Sequence, residues 1–329
     1  MTQFWADKRV LVTGANGFLG SWVARKLVEA GADVVCLQRD ALPRSLFVLD
    51  GTIQQVTLAW GELEDAAGVM RIVNEFEVDT IFHLAAQPIV STALRAPVST
   101  FESNIRGTWH VLEAARLSPK VQRVAVASSD KVYGDAVALP YTETMPLDGR
   151  GPYEVSKVCE DLLAQSYAAT YGVPVAIARC GNFYGPGDWN MSRIVPGTIR
   201  SLLLDEPPII RSDGQYVRDY LYIGDAAEAY LRLGELAATD GVRGEAFNFG
   251  TGTPSTVLQV VELLVEMSGK PQLKPVIRNE VHNEIRAQYL DWTKAQRTLG
   301  WTPGTELADG LRAAYEWYAK QLKYEPVVS

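Results

Sequence analysis

Residues 8–13 (KRVLVT) form a short apolar run rich in β-branched side chains, and they lead at once into GANGFLG, residues 14–20. The run reads as a buried strand. The glycines of the turn, Gly14, Gly17 and Gly20, are spaced three and three. The residues that follow, SWVARKLVEAG, have helical spacing and stop at Gly31. DVVCLQRD then reads as a second strand. Strand, glycine turn, helix and strand make one βαβ unit. In that setting the turn lets backbone N–H groups approach a pyrophosphate, and the helix N-terminus favours its negative charge. A glycine trio alone is a weak signal, but this context makes Gly14, Asn16, Gly17, Phe18, Leu19 and Gly20 a candidate dinucleotide site.

The alternation continues along the chain. Residues 55–59, 80–85, 123–128 and 173–179 read as strands, and 64–76, 101–117 and 153–171 as helices, the last opened by Pro152. Strands alternating with helices of this length imply a parallel sheet. Beyond Cys180 glycine and proline become frequent (GNFYGPGDW, RIVPG) and the alternation stops. Two amphipathic helices are expected over 293–322, around the turn at 301–304. The expected fold is α/β: a Rossmann-like doubly wound parallel sheet with a smaller C-terminal α/β substrate-binding region. Residues 1–180, joined by about 216–250, would bind the dinucleotide. Residues 181–215 and 251–329 would cover the carboxyl ends of the strands, where such folds bind ligands.

The 329 residues and a 47% hydrophobic share allow a sizeable core, and the formal net charge of −8 argues against non-specific nucleic-acid binding and does not favour an anionic membrane surface. No stretch approaches a membrane helix, and no signal pattern opens the chain, so a cytoplasmic enzyme is expected. Cys36, Cys159 and Cys180 lack metal-ligand spacing and read as buried reduced thiols. Three histidines are too scattered for a metal site, and none is expected.

Two further segments carry chemistry. Tyr153 and Lys157 lie four apart on one expected helix, so they face the same way. A nearby ammonium stabilises a phenolate and lowers its pKa. Tyr153 can then take a proton from an alcohol while hydride leaves the same carbon. The strand-end segment 128–134 (SSDKVYG) supplies Ser129, placed to hydrogen-bond the reacting hydroxyl. It also supplies Asp130 and Lys131, an acid and a base beyond what alcohol oxidation needs. At the end of the second strand an acid often holds the adenosine ribose. Here the residues are Gln38-Arg39-Asp40, so NAD is expected while an arginine suited to a 2′-phosphate keeps NADP open. Glu62 and Leu63 are candidate adenine contacts.

With these residues in view, the chain resembles the extended short-chain dehydrogenase/reductase family of nucleotide-sugar enzymes over nearly its whole length. The likeness rests on GANGFLG, HLAAQ (83–87), SSDKVYG, YEVSK (153–157), RCGNFYGPGDW (179–189), RIVPGTIR (193–200), RSDGQYVRDYLYIGDAAEAY and NEIRAQYLD (283–291). Within it, the Asp-Lys pair after the serine, the opening FWADKRVLVTG and the GDW triplet look like the CDP-glucose 4,6-dehydratase branch. The resemblance implies oxidation at the sugar C4 by NAD, elimination of water across C5–C6, and hydride return to C6. Tyr153 would take the 4-OH proton, Lys131 (or a group it activates) the C5 proton, and Asp130 would protonate the leaving hydroxyl. It further implies NAD contacts at Leu84, Ala85 and Ala86, and substrate contacts at Gln87, Asn182, Arg193, Val195, Arg200, Arg211, Arg218 and Arg286. The partner would be a nucleotide-diphosphate sugar, and the assembly a homodimer paired through helices that include the one bearing Tyr153. Tyr133-Gly134, usual in epimerases, keeps a UDP-sugar 4-epimerase open. A cofactor-sensing binding protein is a third reading, weighed against by the intact Ser129, Tyr153 and Lys157.

Overall fold

The computed structural model describes residues 2–135, 138–280 and 285–322. Asn283 and Glu284, which open the NEIRAQYLD segment, lie outside the described residues, as do 323–329 of the expected substrate region.

Seven strands form one sheet: β1 (Arg9–Thr13), β2 (Asp33–Gln38), β3 (Thr57–Trp60), β4 (Thr80–His83), β5 (Arg123–Ala127), β6 (Val175–Cys180) and β7 (Ala246–Phe249). Their order is β7-β6-β5-β4-β1-β2-β3, and every pairing is parallel. The fold is thus the doubly wound α/β sheet expected. Alternate side chains of a strand serve opposite faces. Val10 and Val12 therefore join one core with Trp22, Val23 and Leu27 of α1 (Phe18–Glu29). Leu11 joins another with Ile72 of α2 (Ala66–Glu75), Val111 of α3 (Gly107–Leu117) and Ala164 of α4 (Pro152–Tyr171). Both faces are covered, which is why the strands read as continuous apolar runs.

The chain winds from β1 to β3 on one side, then crosses to β4 on the other side of β1. The carboxyl ends of β1 and β4 diverge there, opening the crevice in which such folds bind ligands.

A third core lies beyond the sheet. It joins Val195 and Ile199 of α5 (Ile194–Leu203), Val261 and Leu264 of α7 (Val257–Met267), and Leu311 and Tyr318 of α8 (Leu307–Leu322). Between them α6 (Ile223–Leu236) returns to the first core. Short strand pairs knit this part. Asn182–Tyr184 runs parallel to Tyr220–Tyr222, and Val217–Arg218 lies between Ser255–Thr256 and Ala287–Gln288.

Two expectations change. The helix expected over 101–117 begins earlier, at Pro97, and passes through a π-helical turn at Glu102–Arg106 before α3. Proline supplies a preset first turn. The π-turn aims Asn104 inward, where its Oδ1 accepts from the Gln87 N–H at 2.7 Å and its Nδ2 donates to Ser156 Oγ at 2.9 Å. Such single-turn bulges redirect one side chain. Of the three free cysteines, Cys36 and Cys180 are buried, but Cys159 is only half-buried, because its position on α4 points away from the sheet's centre.

Candidate active site

The turn after β1 approaches its own helix too closely for any side chain. A Cβ on Gly20 would stand 2.0 Å from the Gly14 carbonyl oxygen, and one on Gly14 would meet the Ala85 Cα at 2.7 Å. Gly14 also has φ of +76°, a conformation that favours glycine. Backbone alone therefore forms the floor of a cavity of about 330 Å³ at the carboxyl ends of β1, β2 and β4. It is lined by Gly14, Asn16, Gly17, Phe18, Leu19, Gly20, Gln38, Arg39, Leu63, Leu84, Ala85, Ala86, Tyr153 and Lys157, all named from sequence. Asp40, Glu64, Ser128, Phe183, Arg193 and Tyr230 line it too. Glu62 stands exposed outside it, because the chain turns the neighbouring Leu63 inward.

At the far edge of the cavity, Asn16 donates through Nδ2 to Gln38 Oε1. The buried Gln38 Nε2 has no partner among the described residues. Arg39 Nε is held by Asp40 Oδ2 at 2.7 Å, so the arginine's charge is answered beside the cavity. A shallow cradle of glycines and an orphaned amide donor fit a dinucleotide lying from the glycine turn to Gln38.

The end nearer Tyr153 is buried and polar. His83, at the tip of β4, sits between Thr13 Oγ1 and Thr108 Oγ1, both at 2.9 Å. Burial, helped by the charge of Lys157, lowers its pKa to about 3, so it stays neutral and acts as a pin between β1, β4 and α3. Lys157 Nζ donates to the Ala127 carbonyl and to Glu160 Oε2, each at 2.9 Å. Burial works against the ammonium, but Glu160 and Tyr153 outweigh it and raise its pKa. Lys157 lowers the Tyr153 pKa as expected, but it does not set the net direction. Burial pushes it up more strongly, and Glu160 adds to the push. The neighbouring Ser129 hydroxyl also favours the phenolate.

Ser129 Oγ donates to Asp130 Oδ1 at 3.0 Å. Asp130 is buried, and its Oδ2 has no partner among the described residues. Burial raises its pKa against the pull of Lys131, Ser129 and Arg218. Lys131 Nζ donates to Gln288 Oε1 at 3.0 Å. The side-chain nitrogens of Gln288 and Asn182 are likewise buried without partners among the described residues. Ser129 thus adjoins an acid held toward its neutral form and the residue Lys131, whose amine reaches Gln288.

A second cleft, of about 440 Å³, is lined by Arg193, Arg200, Arg211 and Arg278 with Ser192, Ser201 and Ser212. Arg193 borders both cavities, and its guanidinium pairs with Asp188 at 3.1 Å. Val195 is in the third core rather than on a cavity wall, since the apolar face of α5 packs inward. Gln87 turns its amide onto Ile89 of its own loop and Thr100 of the Pro97–Phe101 helix. Arg218 and Arg286 both stack on Tyr216, and Arg286 pairs with Asp213 at 3.1 Å. The charge of Arg218 reaches the Asp130 carboxyl.

The profile of the GDP-mannose 4,6-dehydratase family matches residues 11–314. The chain belongs to that family. It is 30% identical to a CDP-glucose 4,6-dehydratase of Salmonella typhimurium, over 99% of this chain and 94% of the relative. Among solved structures, it superposes with a TM-score of 0.86 on the UDP-glucose 4-epimerase of Thermotoga maritima with UDP-glucose, at 32% identity over 95% of this chain and 99% of that one. A TM-score of 0.86 also relates it to the dTDP-glucose 4,6-dehydratase of Streptomyces venezuelae solved with NAD, at 29% identity over 96% and 98%. Epimerase and dehydratase share the fold equally well, so the side chains at the sugar end carry the distinction.

Sequence reading missed Glu160, Gln288, Arg278 and Tyr230. Glu160 reads as one more polar helix residue, and Gln288 and Arg278 reach their sites from segments far along the chain. Only a helical count placing Glu160 on the face of Lys157 offered a signal.

Proposed function

We propose that this chain is a nucleotide-sugar 4,6-dehydratase that converts CDP-glucose to CDP-4-keto-6-deoxyglucose with NAD. One observation carries the reading: Asp130, buried and held toward its protonated form, stands with Lys131 beside Ser129 and Tyr153. Alcohol oxidation alone needs neither residue. NAD would lie on Gly14, Gly17 and Gly20, with Gln38 toward the adenosine ribose and Lys157 and Tyr153 toward the nicotinamide. The Arg39–Asp40 pair favours NAD over NADP, since Asp40 on the cavity wall repels a 2′-phosphate.

Held on the glycine turn, NAD would supply the acceptor for hydride from C4 and the donor for its return to C6. Tyr153 takes the 4-OH proton, helped by Lys157 and Ser129. The C4 ketone acidifies C5–H, which Lys131 removes. Asp130 gives its proton to the C6 hydroxyl, which leaves as water, and Lys131 returns its proton to C5 as hydride returns to C6. Arg193, Arg200, Arg211, Arg218 and Arg286 would hold the nucleotide diphosphate, guanidinium forks being suited to phosphate oxygens. Residues 1–180 with about 216–250 would serve the cofactor, and 181–215 with 251–329 the substrate.

The chain would work as a homodimer. Val98 on Pro97–Phe101 and Leu162 on α4 are 71% and 52% exposed, with Leu94 nearby on Val90–Arg95, an apolar surface suited to a second copy. The free thiols fit a reducing compartment, the cytoplasm. No helix among the described residues is long and apolar enough to cross a membrane.

Incubation with CDP-glucose, UDP-glucose, dTDP-glucose, GDP-mannose and UDP-glucuronate, followed by mass, tests the reading. Loss of one water from CDP-glucose is expected. A 4-epimerase is the second reading, favoured by the likeness to the Thermotoga maritima enzyme. Unchanged mass with inverted C4 by NMR would establish it instead.

A further inference from the structure

Glu160 lies one helical turn beyond Lys157 and is 1% exposed. Its Oε2 takes the Lys157 ammonium at 2.9 Å, and its Oε1 is buried without a partner among the described residues. The neighbouring Asp161 is otherwise engaged: both its oxygens accept from Arg179 at 2.8 Å, and Ser128 Oγ donates to Oδ2 at 2.9 Å. Glu160 is thus a second buried acid on this turn, and its ionic partner is the lysine that supports Tyr153. A lysine whose task is to favour a phenolate gains nothing from a carboxylate at its ammonium, which offsets its field. Burying such a pair is costly, so the arrangement calls for a functional account.

We propose that Glu160 is a positioning residue for Lys157: it fixes the ammonium against the end of β5 and offsets part of its charge, and thereby sets the pH range over which Tyr153 exchanges a proton with the substrate. This rests on the reading of Tyr153 as the proton-transfer group. The groups facing the pair come from every surrounding element. On α4 these are Tyr153, Cys159 and Asp161; from α6, Tyr230; from β6, Cys180; from β4, the neutral His83; and Asp130, after β5, reaches Tyr153. Asp161 is matched by Arg179. Removing the Glu160 charge therefore acts on Tyr153 in two ways, by ending its direct repulsion of the phenolate and by freeing the field of Lys157, and both favour the phenolate.

The test uses Glu160→Gln, which keeps shape and hydrogen-bonding capacity, in the NAD-loaded protein. Two readouts serve: near-ultraviolet phenolate absorbance against pH, taken as the difference from a Tyr153→Phe background, and the acidic limb of kcat/KM with CDP-glucose. Both should move to lower pH by roughly one unit. Glu160→Asp, with its carboxylate drawn back, should move both the same way by less. An unmoved phenolate titration in E160Q overturns the proposal. If E160Q does not fold, an unmoved or upward-shifted titration in E160D overturns it. The phenolate readout needs no turnover, so it decides the role of Glu160 even if no nucleotide sugar proves to be a substrate.

Discussion

The two cavities that meet at Arg193 are made differently. The first is floored by backbone: Gly14, Gly17 and Gly20 remove side chains so that the main chain itself can touch a ligand. The second is walled by guanidinium groups, Arg193, Arg200, Arg211 and Arg278, drawn from α5 and its N-cap and from two later segments. Backbone floors tolerate almost no substitution, since an added Cβ has nowhere to go. Side-chain walls are adjustable one residue at a time. A cofactor common to a whole family suits the first construction, and a substrate that differs between branches suits the second.

The contrast can be broken most forcefully at Gly20. Gly20→Ala should lower NAD affinity roughly 100-fold, about 2.7 kcal/mol, by calorimetry, and should lower the unfolding temperature as well. If NAD binding survives intact, the floor is not where the pyrophosphate lies. Lys131→Met should reduce dehydration by roughly 10²–10⁴-fold. Transient NADH absorbance on adding CDP-glucose should persist, because oxidation at C4 does not use Lys131. Dehydration near the wild-type rate would remove Lys131 from its role. Arg278→Ala should raise KM about tenfold with kcat little changed, the pattern of lost ground-state binding. An unchanged KM would empty the arginine cleft of its assigned ligand.

The smallest effect concerns stability. Burial lifts the Glu160 pKa from its ordinary 4.5 to about 7 in the fold. A carboxyl raised in this way favours the folded state below the unfolded value, and that contribution is lost as pH rises through about 7. Thermal unfolding followed from acid to neutral pH should therefore show a decline attributable to Glu160 that is absent in E160Q. An identical slope in both proteins would place the titration elsewhere.

The same contrast explains what was legible in the sequence. The glycine floor is contiguous, and its meaning depends on local spacing, so the strand, turn and helix around it could be read directly. Tyr153 and Lys157 obeyed the helical count in the same way. The arginine wall joins residues up to 85 positions apart, Arg193 to Arg278. Arg278 was therefore missed, while Val195, beside its true members, was included although its apolar side chain belongs to the core. Gln288 meets Lys131 across 157 residues, a contact that no local pattern encodes. The π-turn at Glu102–Arg106 escaped for another reason. It is set by what Asn104 can reach, Gln87 and Ser156, and not by the periodicity of its own segment.

Arg193 is a party wall. Whatever fills one chamber alters the field, the solvation and the freedom of a guanidinium that the other chamber also meets. Free energy is a state function, so any factor by which the sugar nucleotide strengthens retention of the dinucleotide must equal the factor by which the dinucleotide strengthens capture of the sugar nucleotide. An enzyme whose dinucleotide ends each cycle in the form in which it began has reason to keep it through many cycles, and a shared wall is where the two occupancies can be felt by one another.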